Sequence, residues 1–390
     1  LTTAAAESAG DPHVALVGGL ADVPALREAY AGLLPSALDL VAASGEPVDG
    51  ALLIAASAGL PHESAVVRIP ARSGEPGAAG VAGVDALATE QVRAELHDLD
   101  TRSPAQVVAE LLAAEATVPV ALASARESLV QAVTLAGAAL DRGGRLLYVG
   151  AGTPGRLAAL DAAECPPTFG TAPERVVAVL AGGREADRTA VEGAEDDAGA
   201  GEKDLLALTP GPDDLVVGIT ASGRTPYVLS ALEAARRAGV PTVAIVNNPG
   251  SVVAAAADVA VELLTGPEVL GGSTRLKSGT AQKVALNVLS TGAMVAHGKT
   301  YGAWMVDVVA SNEKLRLRAR RILREATAVD DATAQRTLEE ADWRTKPALV
   351  ALLAGVPVDQ ARQALERHDD RVRLAVRSLT DDHGDAGALS

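Results

Sequence analysis

Aromatic residues, cysteine and clustered positive charge are all scarce in this sequence of 390 residues. Aromatics make up 2% of the chain and hydrophobic residues 48%, so a core must be built mainly from alanine, valine and leucine. Such residues suit packed helices and buried parallel strands. The formal net charge of -16, with no run of Lys or Arg, argues against general nucleic-acid binding.

The single cysteine, Cys165, excludes an internal disulfide framework and a cysteine-built metal site, and it favours a reducing compartment. A signal-peptide pattern and a long uncharged apolar run are also missing from the sequence, which predicts a cytoplasmic protein. With so negative a chain, an anionic ligand would have to be held locally by backbone N–H groups and hydroxyls.

Changes in composition predict four parts along the chain. Residues 1–71 form a short N-terminal α/β piece, and residues 72–86, rich in Gly, Pro and Ala, are typical of a linker. Residues 87–326 hold the main domain, which begins with a helix-rich stretch opened by Ser103 and Pro104. Residues 327–390 form a small helical C-terminal domain, with breaks near ADWRT, AGVP and RHDD.

Five nearly continuous apolar runs follow Arg145 and alternate with helical patterns: RLLYVGAG, ERVVAVLAGG, DDLVVGITASG, PTVAIVNNPG and VAVELLTGPE. Such runs are typical of strands buried on both faces. The predicted fold class is therefore α/β, a doubly wound five-stranded parallel sheet in an αβα sandwich. Small or polar residues end each run at the carboxyl edge, where sheets of this kind bind ligands.

The turn after the first run, GAGTPGR, has the spacing GxGxxG and opens a helix. A dinucleotide site would need an acidic residue at the end of the second strand, and none stands there. A phosphate or sugar-phosphate nest at a helix N-terminus has the same geometry and is favoured over a nucleotide cofactor. Its candidate binding residues are Gly152, Thr153 and Arg156.

Two further turns, TASGRTPY and GGSTRLKSGTAQK, are rich in hydroxyls and basic groups. An isolated hydroxyl there is better explained as a helix cap, and an arginine can brace a loop instead of contacting phosphate. Several such groups at one sheet edge favour a polyhydroxylated, phosphorylated ligand. The candidate binding residues are Ser222, Gly223, Arg224, Thr225, Ser273, Thr274 and Lys277.

Two glutamates supply candidate acid–base chemistry. In DAAECPPTFG, we expect the two prolines to stop a helix at Glu164. We also expect Cys165, Pro166, Pro167 and Phe169 to dry its surroundings, which would raise its pKa and make it a proton donor. Cys165 itself is better explained as a small packed thiol than as a nucleophile. The second candidate, Glu195 in VEGAEDD, lies in an acidic run that is more often a solvated helix turn.

Taken together, the segments YVGAGTPGRLAALDAAECPPTFG, VEGAEDD, GITASGRTPYV, NNPGS, STRLKSGTAQKVALNVLSTGAM and MVDVVASNEKLRLRA resemble the N-acetylmuramic acid 6-phosphate etherase family, a branch of the sugar isomerase (SIS) domain proteins. The resemblance runs from about Leu87 to about Val376. It implies a homodimeric lyase of cell-wall recycling that needs no metal or nucleotide. The family's two catalytic glutamates match Glu164 and Glu195.

The family releases D-lactate from N-acetylmuramic acid 6-phosphate and leaves N-acetylglucosamine 6-phosphate. The implied chemistry needs one ionised carboxylate to remove the C2 proton beside an aldehyde and one protonated carboxyl to assist departure of the lactyl oxygen. The expected dry surroundings of Glu164 make it the acid and Glu195 the base.

Two departures from the family pattern bear on substrate affinity. Pro154 replaces the usual serine, so that Thr153 and backbone N–H groups must compensate. Thr89 and Glu90 match an early TE pair but lack the asparagine that usually follows.

The segment from about Val14 to about Ser57 resembles the C-terminal end of sugar kinases of the actin-like ATPase superfamily, with Gly18 and Gly19 at the turn that approaches the nucleotide. The resemblance implies the C-terminal portion of a kinase–etherase fusion, and the alternative is a small structural appendage. For the main domain, the alternatives are a non-catalytic sugar-phosphate-sensing SIS regulator and an aldose–ketose isomerase.

Overall fold

The computed structural model of the chain describes residues 2–8, 11–17, 39–42, 87–187, 189, 191, 193–308 and 312–385. Two compact units divide the chain, Leu1–Val81 and Ala82–Ser390. The Gly-Gly turn at Gly18 and Gly19 and the predicted linker over 72–86 lie outside the described residues. The division into four parts therefore stays a prediction.

The N-terminal unit contains a sheet of three strands, β1 (Thr2–Ser8), β2 (Asp11–Val17) and β3 (Asp39–Ala42). Strand β2 lies in the middle, antiparallel to β1 and parallel to β3. This unit is short, and its resemblance to a kinase end stays a prediction.

The second unit is built on five parallel strands, β4 (Leu146–Gly150), β5 (Val176–Leu180), β6 (Leu215–Thr220), β7 (Thr242–Val246) and β8 (Val259–Glu262). Their order is β5-β4-β6-β7-β8. The chain leaves β4 in one direction and β6 in the other, so a crevice opens between their carboxyl ends. The predicted doubly wound sheet is confirmed.

Eight helices accompany this sheet among the described residues: α1 (Pro104–Glu115), α2 (Thr117–Ser124), α3 (Arg126–Asp141), α4 (Gly152–Phe169), α5 (Ala198–Leu206), α6 (Pro226–Arg237), the short α7 (Val252–Ala255) and α8 (Lys277–Ala296). Helices α3, α4 and α8 bury their apolar sides on one face of the sheet. Helices α5 and α6 cover the other face. The αβα sandwich is thus the observed architecture.

Helices α1 and α2 form an apolar stretch that the sequence analysis did not foresee. Pro104–Ser124 has a mean hydropathy of 1.6 over its most apolar window, of which 17% is buried. By length and composition alone it could cross a membrane, but it carries Glu110 and Glu115, so it is not the uncharged apolar run that the sequence analysis found missing. The capping box of Ser103 and Gln106 opens the stretch, as predicted for this helix start.

Helix α4 does not stop at Glu164. It continues through Pro166 and Pro167 and ends at Gly170, whose φ of 63° is left-handed. The prolines remove the N–H donors that would bond the carbonyls of Ala162 and Ala163. The helix persists because Cys165 and Phe169, one turn apart on its inner side, are buried in the core. Packing therefore overrides the local proline signal.

The C-terminal part is a bundle of five helices, α9 (Glu313–Thr327), α10 (Asp331–Glu340), α11 (Thr345–Ala354), α12 (Val358–Arg367) and α13 (Val372–Asp385). A two-residue hairpin, β9 (Thr300–Tyr301) with β10 (Trp304–Met305), precedes it. The three breaks expected in the sequence fall between α10 and α13. Ile322 and Leu323 of α9 share the bundle's hydrophobic core, so α9 packs with the helices after it.

An ion pair joins the bundle to the sandwich, since Arg371 contacts Asp141 at the end of α3 at 3.0 Å. Lys346, 3% exposed at its side chain, contacts Asp370 of the bundle at 2.8 Å and Asp307, in the segment before α9, at 2.6 Å. Arg371 also donates to the carbonyl of Ala296 at the end of α8. Because α3 and α8 end at the amino edge of the sheet, the bundle lies opposite the carboxyl edge.

The first and last glycines of the GxGxxG spacing bring strand and helix together. A Cβ on Gly155 of α4 would lie 2.8 Å from the carbonyl oxygen of Gly150 at the end of β4. The spacing therefore serves close helix–strand packing, one of the roles that glycine has in such turns.

We predict that Gly155→Ala lowers the free energy of unfolding by about 1–3 kcal/mol, because the backbone of β4 cannot move aside for the added methyl group. Urea denaturation followed by circular dichroism measures the change. Gly211→Ala is the matched control, since a Cβ there meets nothing within 4 Å. A Gly155→Ala midpoint equal to that of the control would contradict the packing argument.

Candidate functional site

The turn after β4 offers backbone donors at the start of α4. Gly152 has a φ of 57°, and the Thr153 side chain is half-buried. Gly152 and Thr153 begin the helix, so their N–H groups have no intrahelical acceptor. Pro154 is buried in the same turn and has no N–H, which leaves this nest one donor short.

The turn after β6 is a compact arrangement of hydroxyls. Thr220 Oγ1 lies 2.7 Å from Thr225 Oγ1 and 3.2 Å from Ser222 Oγ, and it accepts the N–H of Gly223. Ser222 also accepts the N–H of Arg224 at 3.2 Å. Helix α6 begins directly after Thr225 with Pro226, which has no N–H, and the N–H of Val228 already bonds to the carbonyl of Thr225. This turn therefore offers an anion hydroxyls more than free backbone donors.

Arg224 adds a positive charge to the β6 turn. Its Nη1 is buried and finds no hydrogen-bond partner among the described residues. Arg156, by contrast, donates from Nε to the carbonyl of Ala186 at 2.9 Å, which braces the segment after β5. An unpartnered buried donor next to a hydroxyl turn is what an anionic ligand would satisfy.

The loop before α8 adjoins the β4 turn. Ser273 and Thr274 are half-buried, and their hydroxyls make no hydrogen bond to the described residues. A Cβ on Gly279 would lie 3.4 Å from the methyl group of Thr153. Lys277 is only 4% exposed, and burial lowers the pKa of its ammonium group. The three turns thus meet at the carboxyl edge of the sheet.

A buried polar network under these turns was missed by the sequence analysis. Glu268 is fully buried and accepts the N–H of Ser278 at 2.9 Å, while Asn248 donates to Thr89 Oγ1 and to the carbonyl of Ala221. Gln282 donates to Asn247. The signal was present in NNPG and TGPE, since polar residues stand directly after two buried strands. The network fixes the loop before α8 and holds the Thr89–Glu90 pair against Gly272.

Glu195 lies at the same edge as the three turns. It is exposed, in a short 3-10 turn, Ala194–Asp196, that follows β5 and packs against α6. Asp197, which directly follows this turn, caps α5 by accepting the N–H of Ala200 at 2.9 Å. Asp197 therefore has a structural role, whereas the exposed carboxylates of Glu195 and Asp196 make no hydrogen bond to the described residues.

Glu164 does not lie with the other candidates. It follows Gly152 by twelve residues, which places it about 18 Å along α4 from the carboxyl edge. Its side chain is exposed in the single chain, whereas Cys165 and Phe169 face the core. The expectation that these two side chains dry its surroundings is wrong, because they face the core while the side chain of Glu164 faces outward.

Cys165 is a packed thiol, as expected. It is 2% exposed, and burial raises its pKa to about 12, so it is not a nucleophile at neutral pH.

A buried carboxylate holds the helix that carries Glu164. Asp161, one turn before it, accepts hydrogen bonds from Tyr148 at 3.0 Å, Asn287 at 2.7 Å and Ser290 at 3.1 Å. Burial raises the pKa of Asp161 and of Tyr148. These bonds join α4 to both β4 and α8, so Glu164 stands on a rigid helix.

Known proteins resemble this chain in sequence and in structure. The family profile of the glucokinase regulatory protein N-terminal SIS domain matches residues 128–236, and that of the SIS domain matches residues 198–292. A phosphoheptose isomerase from Francisella tularensis is similar in structure, with a TM-score of 0.40 and 18% identity, over 49% of this chain and 98% of that one.

Closer relatives are found by sequence. The N-acetylmuramic acid 6-phosphate etherase of Serratia proteamaculans is 53% identical over 66% of this chain and 87% of its own length. That of Geobacillus thermodenitrificans is 53% identical over the same shares. With this identity across most of the relatives' length, the chain belongs to the N-acetylmuramic acid 6-phosphate etherase family.

Proposed function

We propose that this chain is a carbon–oxygen lyase that cleaves the D-lactyl ether of N-acetylmuramic acid 6-phosphate, giving N-acetylglucosamine 6-phosphate and D-lactate. The observation that carries the proposal is the presence of Glu164 and Glu195, which match the family's catalytic pair, in a chain 53% identical to curated etherases. The hydroxyl-rich carboxyl edge supports a phosphorylated sugar as substrate.

The turn after β6 is the best place for the phosphate. Ser222, Gly223, Arg224 and Thr225 form a compact turn that combines two hydroxyls with an unpartnered guanidinium nitrogen. At the start of α8, the N–H of Ser278 is already bonded to the carboxylate of Glu268, which opposes a second anion there. The half-buried hydroxyls of Ser273 and Thr274, with Thr153 and Lys277, then face the sugar.

The two glutamates have different roles in the reaction. In the open-chain sugar, ionised Glu195 removes the C2 proton beside the aldehyde, and protonated Glu164 gives its proton to the departing C3 lactyl oxygen. Water then adds across the C2–C3 double bond, with its hydroxyl at C3 and a proton at C2. Proton transfers of this kind contribute on the order of 10²–10⁴ in rate each. The exposed position of Glu164 requires another surface to exclude water during this step.

The proposal extends to the oligomeric state, the cellular location and the role of the N-terminal unit. We infer a homodimer from the family resemblance, and a cytoplasmic location from the lone reduced cysteine. The N-terminal unit is proposed to be the end of an upstream sugar kinase domain, which would make the phosphorylated substrate. Full-length protein that fails to phosphorylate amino sugars with ATP would contradict that last point.

We predict that Glu164→Gln strongly slows lactate release but still exchanges the C2 proton with solvent, whereas Glu195→Gln strongly slows both. Each rate of lactate release should fall by roughly 10²- to 10⁴-fold. Lactate is measured enzymatically and C2 exchange by NMR in D₂O, with the exposed Glu174→Gln as control. Loss of exchange in Glu164→Gln alone would reverse the two roles. Tight binding by the parent chain without lactate would instead indicate a sugar-phosphate sensor.

We predict that Ser222→Ala raises KM by roughly 10- to 100-fold with a smaller change in kcat, because a hydrogen bond to a charged group contributes about 1.5–3 kcal/mol. Steady-state lactate assays give both constants. Ser230→Ala is the matched control, since it removes a half-buried hydroxyl on α6 that bonds only to backbone carbonyls. A KM equal to that of the control would indicate that the phosphate binds at another turn.

A further inference from the structure

A segment ahead of α1 lies against the loop before α8. Residues 87–101, called here the strap, contain three short 3-10 turns. Thr89 of the strap is 1% exposed, and its carbonyl accepts the N–H of Gly272 at 3.1 Å. The strap therefore contacts the residue directly before Ser273 and Thr274, whose hydroxyls the proposed function places against the sugar.

Asn248 joins the strap to the turn after β6. Its side-chain nitrogen donates to Thr89 Oγ1 and to the carbonyl of Ala221, both at 2.9 Å, and Asn248 is itself only 2% exposed. Ala221 directly precedes Ser222 in the turn that best fits the phosphate. One buried amide group thus fixes the strap relative to that turn.

A second contact fixes the strap on the other side of Glu90. Leu96 of the strap is buried in a small apolar cluster with Ala114 of α1 and Val269. The strap is therefore held both directly before Glu90 and a few residues after it. A side chain on backbone that is already ordered can bind a ligand at a smaller cost in conformational entropy.

The carboxylate of Glu90 lies over Gly272. Its Oε2 is 2.9 Å from the position that a Cβ on Gly272 would take, and the φ of Gly272 is 74°. Glycine at this position thus allows the left-handed backbone and also leaves the space that the carboxylate occupies. The carboxyl group of Glu90 is in this way placed beside the loop that continues into Ser273.

This carboxylate makes no hydrogen bond and no ion pair to the residues that the structure describes, although it is half-buried. The strap does carry an arginine, but Arg93 pairs with Glu95 at 2.8 Å and with Glu110 at 3.8 Å. An ionised carboxyl group has two oxygens that only accept hydrogen bonds. Glu90 is therefore equipped to accept hydrogen bonds from a ligand beside Ser273.

The charge of Glu90 determines which part of the substrate it can contact. The phosphate and the lactyl carboxylate are both negative, so Glu90 repels them. The hydroxyl groups of the sugar and its amide N–H are neutral donors, and a carboxylate bonds strongly to such donors. In a chain with a net charge of -16, a further carboxylate beside an anionic ligand weakens binding unless it makes bonds of this kind.

We propose that Glu90 is a substrate-binding residue whose carboxylate accepts hydrogen bonds from the hydroxyl and amide N–H groups of the sugar, and that Thr89 and Asn248 are the positioning residues that hold it there. This proposal rests on the proposed etherase function. It assigns recognition of the neutral part of the substrate to the strap, separately from the phosphate turn and from the two catalytic glutamates.

Binding of two probes tests the role of Glu90. N-acetylglucosamine 6-phosphate has the hydroxyl and amide donors of the sugar, whereas inorganic phosphate lacks them. We expect Glu90→Ala to weaken the sugar phosphate by roughly 10- to 100-fold and to leave inorganic phosphate equally or more tightly bound. Isothermal titration calorimetry measures the first affinity and competition titration the second. Asp100→Ala is the matched control, since it removes an exposed carboxylate from the same strap.

The sign of the change separates this role from the alternatives. If Glu90 does not contact the sugar, loss of its negative charge should strengthen the binding of both anions. If Glu90 only supports the fold, the binding of both should weaken together. Either result would overturn the proposal, as would a Glu90→Ala chain that binds both probes as the Asp100→Ala chain does.

A double-mutant cycle tests the positioning by Thr89. Thr89→Val keeps the shape of the side chain but removes the hydroxyl that accepts from Asn248. We expect KM for N-acetylmuramic acid 6-phosphate to rise by roughly 3- to 10-fold with little change in kcat, and Thr89→Ser to restore the parent KM. In the Glu90→Ala background, Thr89→Val should add no further rise, because its effect passes through Glu90. Additive effects would overturn the positioning role.

The outcomes also separate this proposal from the etherase function. A parent chain that binds N-acetylglucosamine 6-phosphate but releases no lactate overturns the etherase function, while the two-probe comparison still decides the role of Glu90. A parent that releases lactate, together with a Glu90→Ala chain of unchanged affinity, overturns the role of Glu90 alone. A parent that neither binds the sugar phosphate nor releases lactate overturns both.

Discussion

The close approach of Gly150 and Gly155 is the constraint on which the rest of the sandwich depends. It places the start of α4 directly against the end of β4, so the backbone donors of the first turn open at the carboxyl edge. The same contact fixes the axis of α4, and the hydrogen bonds of Asp161 to Tyr148, Asn287 and Ser290 fix its rotation. Both ends of the helix therefore have defined positions, one at the ligand crevice and one at Gly170, against the backbone of Asp307.

The sequence was informative wherever a residue's role depends on strand order. Five apolar runs predict five buried strands, and parallel strands bring their carboxyl ends to one edge, so the hydroxyl turns after β4 and β6 and before α8 could be placed together without coordinates. One of the breaks between the C-terminal helices, AGVP, was predictable from local chemistry, because its glycine and proline leave few alternatives. The packing of α9 with the later helices was not, since it depends on which side of α9 is covered.

The surroundings of Glu164 could not be derived from its sequence neighbours. Cys165 and Phe169 lie close in sequence but face the core, because a helix turns successive residues to different sides. Two prolines were expected to end the helix, yet core packing carries it past them to Gly170. Glu268 and Asn248 were missed because each acts through contacts distant in sequence, the former with Ser278 and the latter with Thr89.

The contacts that fix the C-terminal bundle have a consequence for synthesis of the protein. Arg371 pairs with Asp141, 230 positions earlier, and Lys346 pairs with Asp307 close to the end of α4. A nascent chain can complete the five-stranded sheet once β8 and α8 have left the ribosome, but it cannot dock the bundle until the last helix has emerged. Docking of the bundle thus follows completion of the sheet, and the helix ends that Arg371 contacts stay uncovered by the bundle until then.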